Sequence, residues 1–184
     1  NGGRRSRSRG SSSGDDDIFV VEASATEPGI CRTPVFASDF GRYAFETRHN
    51  WRVIFPYIMR ANRCELISEE ELKRQFPRTY AHLLASREKL EKRKQYSKWY
   101  GYSAPRNLEL HDRAQIIVPL LADHGQFAFI PPETRGKLCP MASGGFTITL
   151  SKQASIDGRY LLTLLNSRLL YWTLQRMSNV FRGG

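Results

Sequence analysis

The sequence predicts an α+β fold with mixed, mainly antiparallel strands, a helical middle and a C-terminal amphipathic helix. Short runs rich in β-branched and aromatic residues lie on both sides of a central stretch whose apolar residues have helical spacing. The chain shows no strand–helix–strand alternation and no repeat, which argues against a parallel α/β sheet and a solenoid. With 40% hydrophobic residues among 184, one domain with its own core is expected.

The chain is predicted to consist of a tail and one domain. Residues 1–14, NGGRRSRSRGSSSG, carry no apolar side chain that could offset the entropy of ordering, so we favour a flexible tail over an arm that grips DNA. Residues 15–184 are predicted to form the domain. We expect this domain to be one part of a larger protein, in which the final Arg-Gly-Gly continues as a loop.

Five runs are predicted as strands because their residues prefer a pleated, half-buried surface. The third and fourth are expected to pair as a hairpin around the turn at Asp123-His124-Gly125. In the last run apolar and polar residues alternate, so one face should be buried. The runs are DIFVVEA (17–23), WRVIFPY (51–57), AQIIVPLLA (114–122), QFAFIP (126–131) and GFTITLS (145–151).

Two helical regions are predicted. Ser68 and Glu71 form a capping-box pattern that starts a short helix, and Pro77 interrupts it and begins a second helix. The apolar side of that second helix contains Tyr80, Leu83, Leu84 and Leu90. Near the C-terminus another helix has an apolar stripe that we expect to be core, formed by Leu161, Leu164, Leu165, Leu169 and Trp172.

The charged side of the central helix permits two interpretations. Its cations could face phosphates, or they could form an ordinary solvated surface, which the interspersed Glu88 and Glu91 favour. The cations are Arg87, Lys89, Lys92, Arg93, Lys94 and Lys98.

Charge and cysteine content indicate the cellular setting. A net charge of +10 suits a protein that meets polyanions, because clustered cations attract phosphates and release counterions on binding. The three separated cysteines are typical of free thiols in a reducing compartment. The sequence has no apolar run long enough to span a membrane and no signal-peptide pattern, so a cytoplasmic protein without a membrane partner is expected.

The sequence lacks the usual patterns of catalysis. No Ser or Cys lies in a nucleophile motif, the four histidines are isolated, and phosphate-binding glycine loops are missing. Glu71-Leu72-Lys73 matches half of a nuclease motif without its preceding Pro-Asp. Pro131-Pro132 lacks the flanking amide and ring of an amino-methyltransferase motif. We therefore predict no catalytic residue, no metal site and no cofactor within this chain.

One segment favours nucleic-acid contact. Lys98-Trp99-Tyr100-Gly101-Tyr102, followed by Arg106, places cations beside aromatic rings in a glycine-containing loop. Such a loop can meet phosphates and base edges together. The same three rings could equally be half-buried in a core.

The order of these segments resembles the TaqI-like C-terminal specificity domain, the target recognition domain of N6-adenine DNA methyltransferases and type IIG restriction-modification enzymes. The sharpest match is Leu165-Asn166-Ser167 after Tyr-Leu-Leu. One departure is Phe36-Ala37 before Ser38-Asp39, where relatives often have Arg-Gly. The matching segments are DDDIFVV (15–21), TPVFASDFGRY (33–43), WRVIFPY (51–57), FPRTYAHLLASREKLEKR (76–93), KWYGY (98–102), AQIIVPLL (114–121), QFAFIP (126–131), YLLTLLNSRLLYWTL (160–174) and FRGG (181–184).

The resemblance implies a division of labour. A catalytic methyltransferase domain elsewhere in the same parent chain would bind S-adenosylmethionine, flip the target adenine and methylate it. The present chain would be non-catalytic and would read double-stranded DNA through the major groove. The parent would be an adenine-specific methyltransferase, with or without endonuclease activity. The predicted DNA contacts are Arg42, Lys98, Trp99, Tyr100, Arg106, Lys137 and Arg182.

Three other functions stay open at this point. One is half of a type I specificity subunit, which reads DNA for a separate methylating subunit. Another is a protein-interaction module whose basic surface is incidental. An autonomous nuclease is disfavoured by the incomplete motif.

Overall fold

The structure is a computed structural model that describes residues 16–60, 63–103, 105, 108–121, 124–140 and 145–177. The N-terminal tail, Asp123 of the predicted turn, and the predicted DNA contacts Arg106 and Arg182 lie outside the described residues. Helices and mixed, mainly antiparallel sheets, with an amphipathic helix near the C-terminus, confirm the predicted α+β class. Within the described chain, no helix combines the length and the apolar character needed to cross a membrane.

The strands and helices are short and alternate irregularly along the chain. The strands are β1 Val20–Glu22, β2 Cys31–Val35, β3 Trp51–Ile54, β4 Tyr57–Arg60, β5 Arg63–Leu66, β6 Ile116–Val118, β7 Ala128–Phe129, β8 Leu138–Pro140 and β9 Phe146–Ile148. The α-helices are α1 Asp16–Phe19, α2 Glu69–Gln75, α3 Pro77–Ala85, α4 Arg87–Glu91, α5 Leu108–His111, α6 Gly158–Leu165 and α7 Arg168–Met177.

The first sheet has the strand order β1-β3-β2-β8, in which β8 runs parallel to β2 and the other pairs are antiparallel. The strand predicted over residues 17–23 is only partly present, because α1 occupies its first half. The neighbouring Ile18 and Phe19 are both buried in one hydrophobic cluster. A strand would point these two side chains to opposite faces, whereas a helical turn lets both enter the same core.

The strand predicted over residues 51–57 ends early. Strand β3 stops at Ile54, and the chain turns at Phe55-Pro56 before β4 begins. Pro56 cannot donate to a strand ladder, so the β3 pairing cannot continue through it. Strands β4 and β5 then form a two-stranded antiparallel ribbon.

The helical middle begins where it was predicted to begin. The Ser68 hydroxyl accepts a hydrogen bond from the Glu71 amide at 3.1 Å, which caps α2, and Pro77 opens α3. The apolar side is confirmed for Leu83 and Leu90, which are fully buried, but Leu84 is 43% exposed. Neighbouring residues on a helix point about 100° apart, so Leu84 turns away when Leu83 faces the core.

A second sheet has β6 between β7 and β9, both antiparallel to it. The pairing of Ile116 with Phe129 confirms the predicted hairpin. The predicted buried face of β9 is wrong at Phe146, which is 62% exposed at the end of this edge strand. Gly145 precedes it with φ +102°, and a Cβ there would lie 1.7 Å from the Val118 carbonyl oxygen, so glycine is required.

The predicted C-terminal helix is two helices, α6 and α7, which join at Asn166-Ser167. The prediction that its leucine stripe is core is wrong at Leu164, Leu169 and Trp172, whereas Leu161 and Leu165 are half-buried. Leu162, outside the stripe, is the buried leucine of α6, while Leu169 is 75% and Trp172 54% exposed.

The buried side chains form two clusters. The larger one packs the first sheet against the helical middle, and the smaller one joins the first and second sheets. An ion pair bridges β2 to the end of α5: the Arg32 guanidinium donates to both Asp112 carboxylate oxygens, at 2.5 and 3.0 Å. Both side chains are at most 16% exposed. This geometry is the bidentate one that orients arginine most firmly.

Candidate nucleic-acid interface

The aromatic segment predicted to contact DNA is largely core. Trp99 is 7% exposed and Tyr100 is fully buried, with their rings in a T-shaped contact at 5.5 Å. The Tyr100 hydroxyl donates to the Ile67 carbonyl at 2.8 Å. Burial raises the pKa of Tyr100 to about 12, so this phenol stays a donor at any physiological pH. Both rings are therefore buried in the core of the domain, and their contact with DNA stays a prediction.

Arg93 holds this segment in place. Its Nε donates to the Leu90 carbonyl at 2.7 Å, Nη1 to the Gly101 carbonyl at 2.9 Å and Nη2 to the Trp99 carbonyl at 2.5 Å. A guanidinium carries five donors in a rigid plane, which suits it to fasten several carbonyls at once. Arg93 is one of the six cations on the predicted charged side of the central helix. It has neither of the roles considered for those cations, phosphate contact or solvated surface, because it binds backbone carbonyls.

Between these anchor points the chain forms an exposed loop, residues 94–98, which we call the basic loop. Lys94 and Lys98 are exposed, and Tyr96 is 40% exposed, with its hydroxyl donating to the Glu91 carbonyl at 3.2 Å. The ring of Tyr96 lies 5.4 Å from the Arg93 guanidinium carbon. Lys98 thus remains available as a DNA contact, and Tyr96 is a candidate aromatic contact that the sequence analysis did not single out.

Two cations, one on α4 and one at its C-terminal end, are paired with carboxylates. Arg87 Nε lies 2.7 Å from Glu91, and Lys92 Nζ lies 2.6 Å from Glu88, both at i,i+4 spacing. The partners are all more than 40% exposed. These pairs fit the solvated-surface interpretation of that helix side, since exposed pairs of this kind add little to stability and partly neutralise the cations.

Arg42 lies at the junction of α6 and α7. Its Nη2 donates to the Asn166 carbonyl oxygen at 2.5 Å, although the residue as a whole is exposed. A cation at this place satisfies a carbonyl at the end of α6 and complements the helix dipole. The neighbouring Tyr43 has φ +72° and exchanges backbone hydrogen bonds with the chain around β7, from its N–H to Phe127 and from Phe129 to its carbonyl.

Asn166 fastens α6 to the segment before β7. The side-chain oxygen accepts from the Phe127 N–H at 3.1 Å, and the side-chain nitrogen donates to the carbonyls of Phe127 at 2.8 Å and Leu162 at 3.1 Å. The amide thus pairs with Phe127 as a peptide group of a neighbouring strand would. Gly125 permits this approach, because a Cβ there would lie 3.3 Å from Asn166.

Ser167 starts the next helix. Its hydroxyl accepts from the Leu170 N–H at 3.2 Å, the geometry of an N-cap. The Leu-Asn-Ser segment that carried the family resemblance is therefore a helix break with a docking amide, followed by a cap. The hydrogen bonds of Asn166 and Ser167 thus give this segment a structural role.

Lys137 is exposed and lies immediately before β8. Gly136 before it has φ +75°, and the Lys137 carbonyl accepts from the Thr33 N–H at 2.8 Å, so the backbone joins the edge of the first sheet. Lys98, Arg42 and Lys137 lie on three separate elements, and whether they contact DNA stays a prediction.

The ribbon of β4 and β5 adds two further exposed cations, Arg60 and Arg63, which the sequence analysis did not select. At the base of the ribbon the Tyr57 hydroxyl accepts from the Tyr102 N–H at 2.8 Å, and the Tyr102 hydroxyl donates to the Ile54 carbonyl at 2.6 Å. Burial raises the pKa of Tyr57 to about 12.

Known proteins offer one informative similarity. No model of a known protein family matches the sequence. The chain is similar to the type II restriction enzyme and methyltransferase RM.Eco57I of Escherichia coli, with 24% identity over 140 residues. The aligned region covers 71% of this chain and 14% of that protein, so the chain spans a small part of the relative's length. The similarity links the chain to restriction-modification proteins.

Proposed function

We propose that this chain is the DNA target recognition domain of an adenine-specific methyltransferase or a type IIG restriction-modification enzyme, of the TaqI-like kind. It reads a specific duplex sequence and has no catalytic activity of its own. The observation that carries the proposal is the similarity to RM.Eco57I over 71% of the chain. The net charge of +10 agrees with it, because duplex DNA is a dense polyanion.

The proposed binding mode uses the exposed cations. Lys94 and Lys98 of the basic loop, together with Arg42 and Lys137, make phosphate contacts that set the position of the domain on the duplex. Tyr96 contributes an exposed ring next to them. Sequence is read by side chains that reach base edges in the major groove, where all four base pairs differ.

Methylation belongs to another domain. The proposed catalytic domain of the same parent chain binds S-adenosylmethionine and acts on an adenine flipped from the stack, in the cytoplasm where the DNA lies. The present residues bind no cofactor in this scheme. Their part is to place the catalytic domain over the correct adenine.

DNA binding can be tested through its salt dependence. Fluorescence anisotropy of a labelled mixed-sequence duplex is expected to show an affinity that falls roughly 10²–10³-fold between about 50 and 200 mM salt, for about four to six phosphate contacts. A flat salt response would contradict the proposal and favour a protein-interaction module. Selection from a random duplex pool then tests specificity: enrichment of one sequence supports target recognition, and uniform recovery contradicts it.

The exposed face of α7 supports the proposed domain partner. No residue of α7 is buried, and Leu169, Trp172 and Arg176 share one side of it, with the Arg176 guanidinium carbon 4.3 Å from the Trp172 ring. Exposed apolar faces of this kind mark sites of protein contact. We assign this face to packing against the catalytic domain of the parent chain. In RM.Eco57I the aligned region covers 14% of the protein, so most of that relative lies outside it.

Leu169→Gln with Trp172→Gln tests this assignment. Because both side chains are exposed, the unfolding free energy of the present chain is expected to change by less than about 0.5 kcal/mol. In the full parent protein the same double variant is expected to lower adenine methylation and to increase proteolysis between the domains. Leu162→Gln is the control for a buried position and should destabilise the present chain. Wild-type methylation and protease resistance in the parent variant would contradict the assigned face.

A further inference from the structure

The ribbon of β4 and β5 stands apart from both sheets. Within the described chain these strands pair with each other and with no other strand. Their base is fixed from both sides: the Tyr57 hydroxyl is bonded to the Tyr102 N–H, and the Ile67 carbonyl accepts from the buried Tyr100 hydroxyl. At the end of the ribbon away from this base, the described residues Arg60 and Arg63 are exposed to solvent.

The two faces of the ribbon differ. On one face the side chains are half-buried: Tyr57, Met59, Cys64 and Leu66. On the other face they are exposed: Ile58, Arg60, Arg63 and Glu65. The strand period of two explains the division, and the exposed face is the one available to a ligand.

The register places two like charges opposite each other. Arg60 pairs directly with Arg63 across the ribbon. Like charges in directly opposed positions destabilise a strand pair. Among the described ion pairs, the carboxylate partner of Arg60 is Glu65 at 3.9 Å, and the two side chains are 65% and 52% exposed. Such an exposed pair offsets little of the repulsion between the two arginines. An anion bound beside both guanidinium groups would relieve this repulsion.

We infer that Arg60 and Arg63 form a phosphate-binding tip, and that the ribbon uses it to hold the backbone of duplex DNA. The inference rests on the proposed function. A two-stranded ribbon has the width to follow the major groove, and guanidinium groups pair with phosphate oxygens through two parallel hydrogen bonds. Arg60 and Arg63 are thus DNA contacts additional to those in the basic loop.

The buried aromatic segment gains a role in this arrangement. Tyr100 and Tyr102 hold the ribbon base, and Arg93 holds the backbone of Trp99 and Gly101 beside them. Ordering the ribbon before DNA arrives lowers the entropy lost on binding. The segment selected from sequence as a DNA contact therefore acts as the support of the contact.

Charge-neutralising variants test the inference. Arg60→Gln and Arg63→Gln are each expected to weaken binding of a mixed-sequence duplex about 5–10-fold near 0.1 M salt and to reduce the salt slope by about 0.9. Lys73→Gln and Lys152→Gln remove the same charge at exposed positions outside the ribbon, and they are expected to change affinity less than about 2-fold. Thermal unfolding of the arginine variants should match or exceed wild type, because the like-charge contact is gone.

The outcomes separate the inference from the proposed function. If wild type binds with a steep salt slope while the arginine and lysine variants behave alike, the ribbon tip is not a phosphate contact but the DNA-binding function stands. If wild type fails to bind duplex DNA, the proposed function and the inference fall together. Equal losses on duplexes of unrelated sequence confirm phosphate contact, whereas a loss confined to one sequence overturns it in favour of base contact.

Discussion

Replacing Asn166 by alanine is expected to lower the free energy of unfolding by about 3 kcal/mol, because it leaves buried polar groups without partners. The side chain is 1% exposed, and it bonds the Phe127 N–H, the Phe127 carbonyl and the Leu162 carbonyl. Truncation removes all three bonds and leaves a cavity beside Gly125. Urea denaturation with linear extrapolation measures the effect.

Two further variants make the Asn166 prediction specific. Asn50→Ala removes an exposed amide and should change stability by less than about 0.5 kcal/mol. Asn166→Asp keeps the acceptor for Phe127 but places a carboxylate against two carbonyls, so at neutral pH it should be at least as destabilising as alanine. Its deficit should shrink on acidification, since a protonated carboxyl can donate again. A loss below about 1 kcal/mol for Asn166→Ala would show that the amide does not fasten α6 to the sheet.

Glu27 is expected to produce the second large effect, on stability as a function of pH. Its carboxylate lies at the start of α3 and accepts from the Arg78 N–H at 2.8 Å, the Thr79 N–H at 3.0 Å and the Thr79 hydroxyl at 2.6 Å. Burial raises the pKa of Glu27, but these hydrogen bonds outweigh it and lower the pKa from 4.5 to about 2. The side chain is 19% exposed, so solvent weakens the effect only in part.

The sign follows from the lowered pKa. The charged form is favoured in the folded state, so Glu27 contributes its full stability above about pH 4.5 and loses it as the pH falls toward 2. Glu27→Gln keeps one acceptor but not the charge, and it should cost about 2–3 kcal/mol at pH 7. Urea unfolding of both proteins along this range should show the difference narrowing as the pH falls. A constant difference would show that the carboxylate charge is not the cause, and Glu70→Gln provides an exposed control on α2.

Glu27 also illustrates what the sequence could not reveal. The N-cap of α2 was predictable because Ser68 and Glu71 lie three residues apart. The start of α3 was predictable from Pro77, but its anionic partner comes from the loop between β1 and β2, 50 or more residues earlier. Local signals identify that a helix starts, and only the folded chain supplies a partner from a distant segment.

The candidate site shows the same limit. Lys98 was selected from sequence and is exposed, but the adjacent Trp99 and Tyr100 are core. A row of aromatic residues beside cations has the same composition in a binding loop and in a buried support. Tyr96, Arg60 and Arg63 gave no distinctive local pattern, because their exposure and the opposition of the two arginines depend on strand pairing and loop position.

The prediction that the leucine stripe of the last helices is core failed for a related reason. Helical spacing correctly indicated an amphipathic helix, but periodicity does not say what covers its apolar face. The helix breaks at Asn166, and the Asn166 side chain bonds Phe127, a residue 39 positions earlier. The face carrying Leu169 and Trp172 is exposed, where the sequence suggested core.

By itself, the sequence determined the α+β class, the starts of α2 and α3, the β6–β7 hairpin and the strongly basic character, because these depend on composition or on residues a few positions apart. The tertiary structure decided which aromatic residues are core, which arginines hold carbonyls and which stand exposed at the ribbon tip. Burial and charge pairing are properties of segments brought together over long sequence separations. A local sequence pattern does not encode which of two similar side chains will be buried in the folded chain.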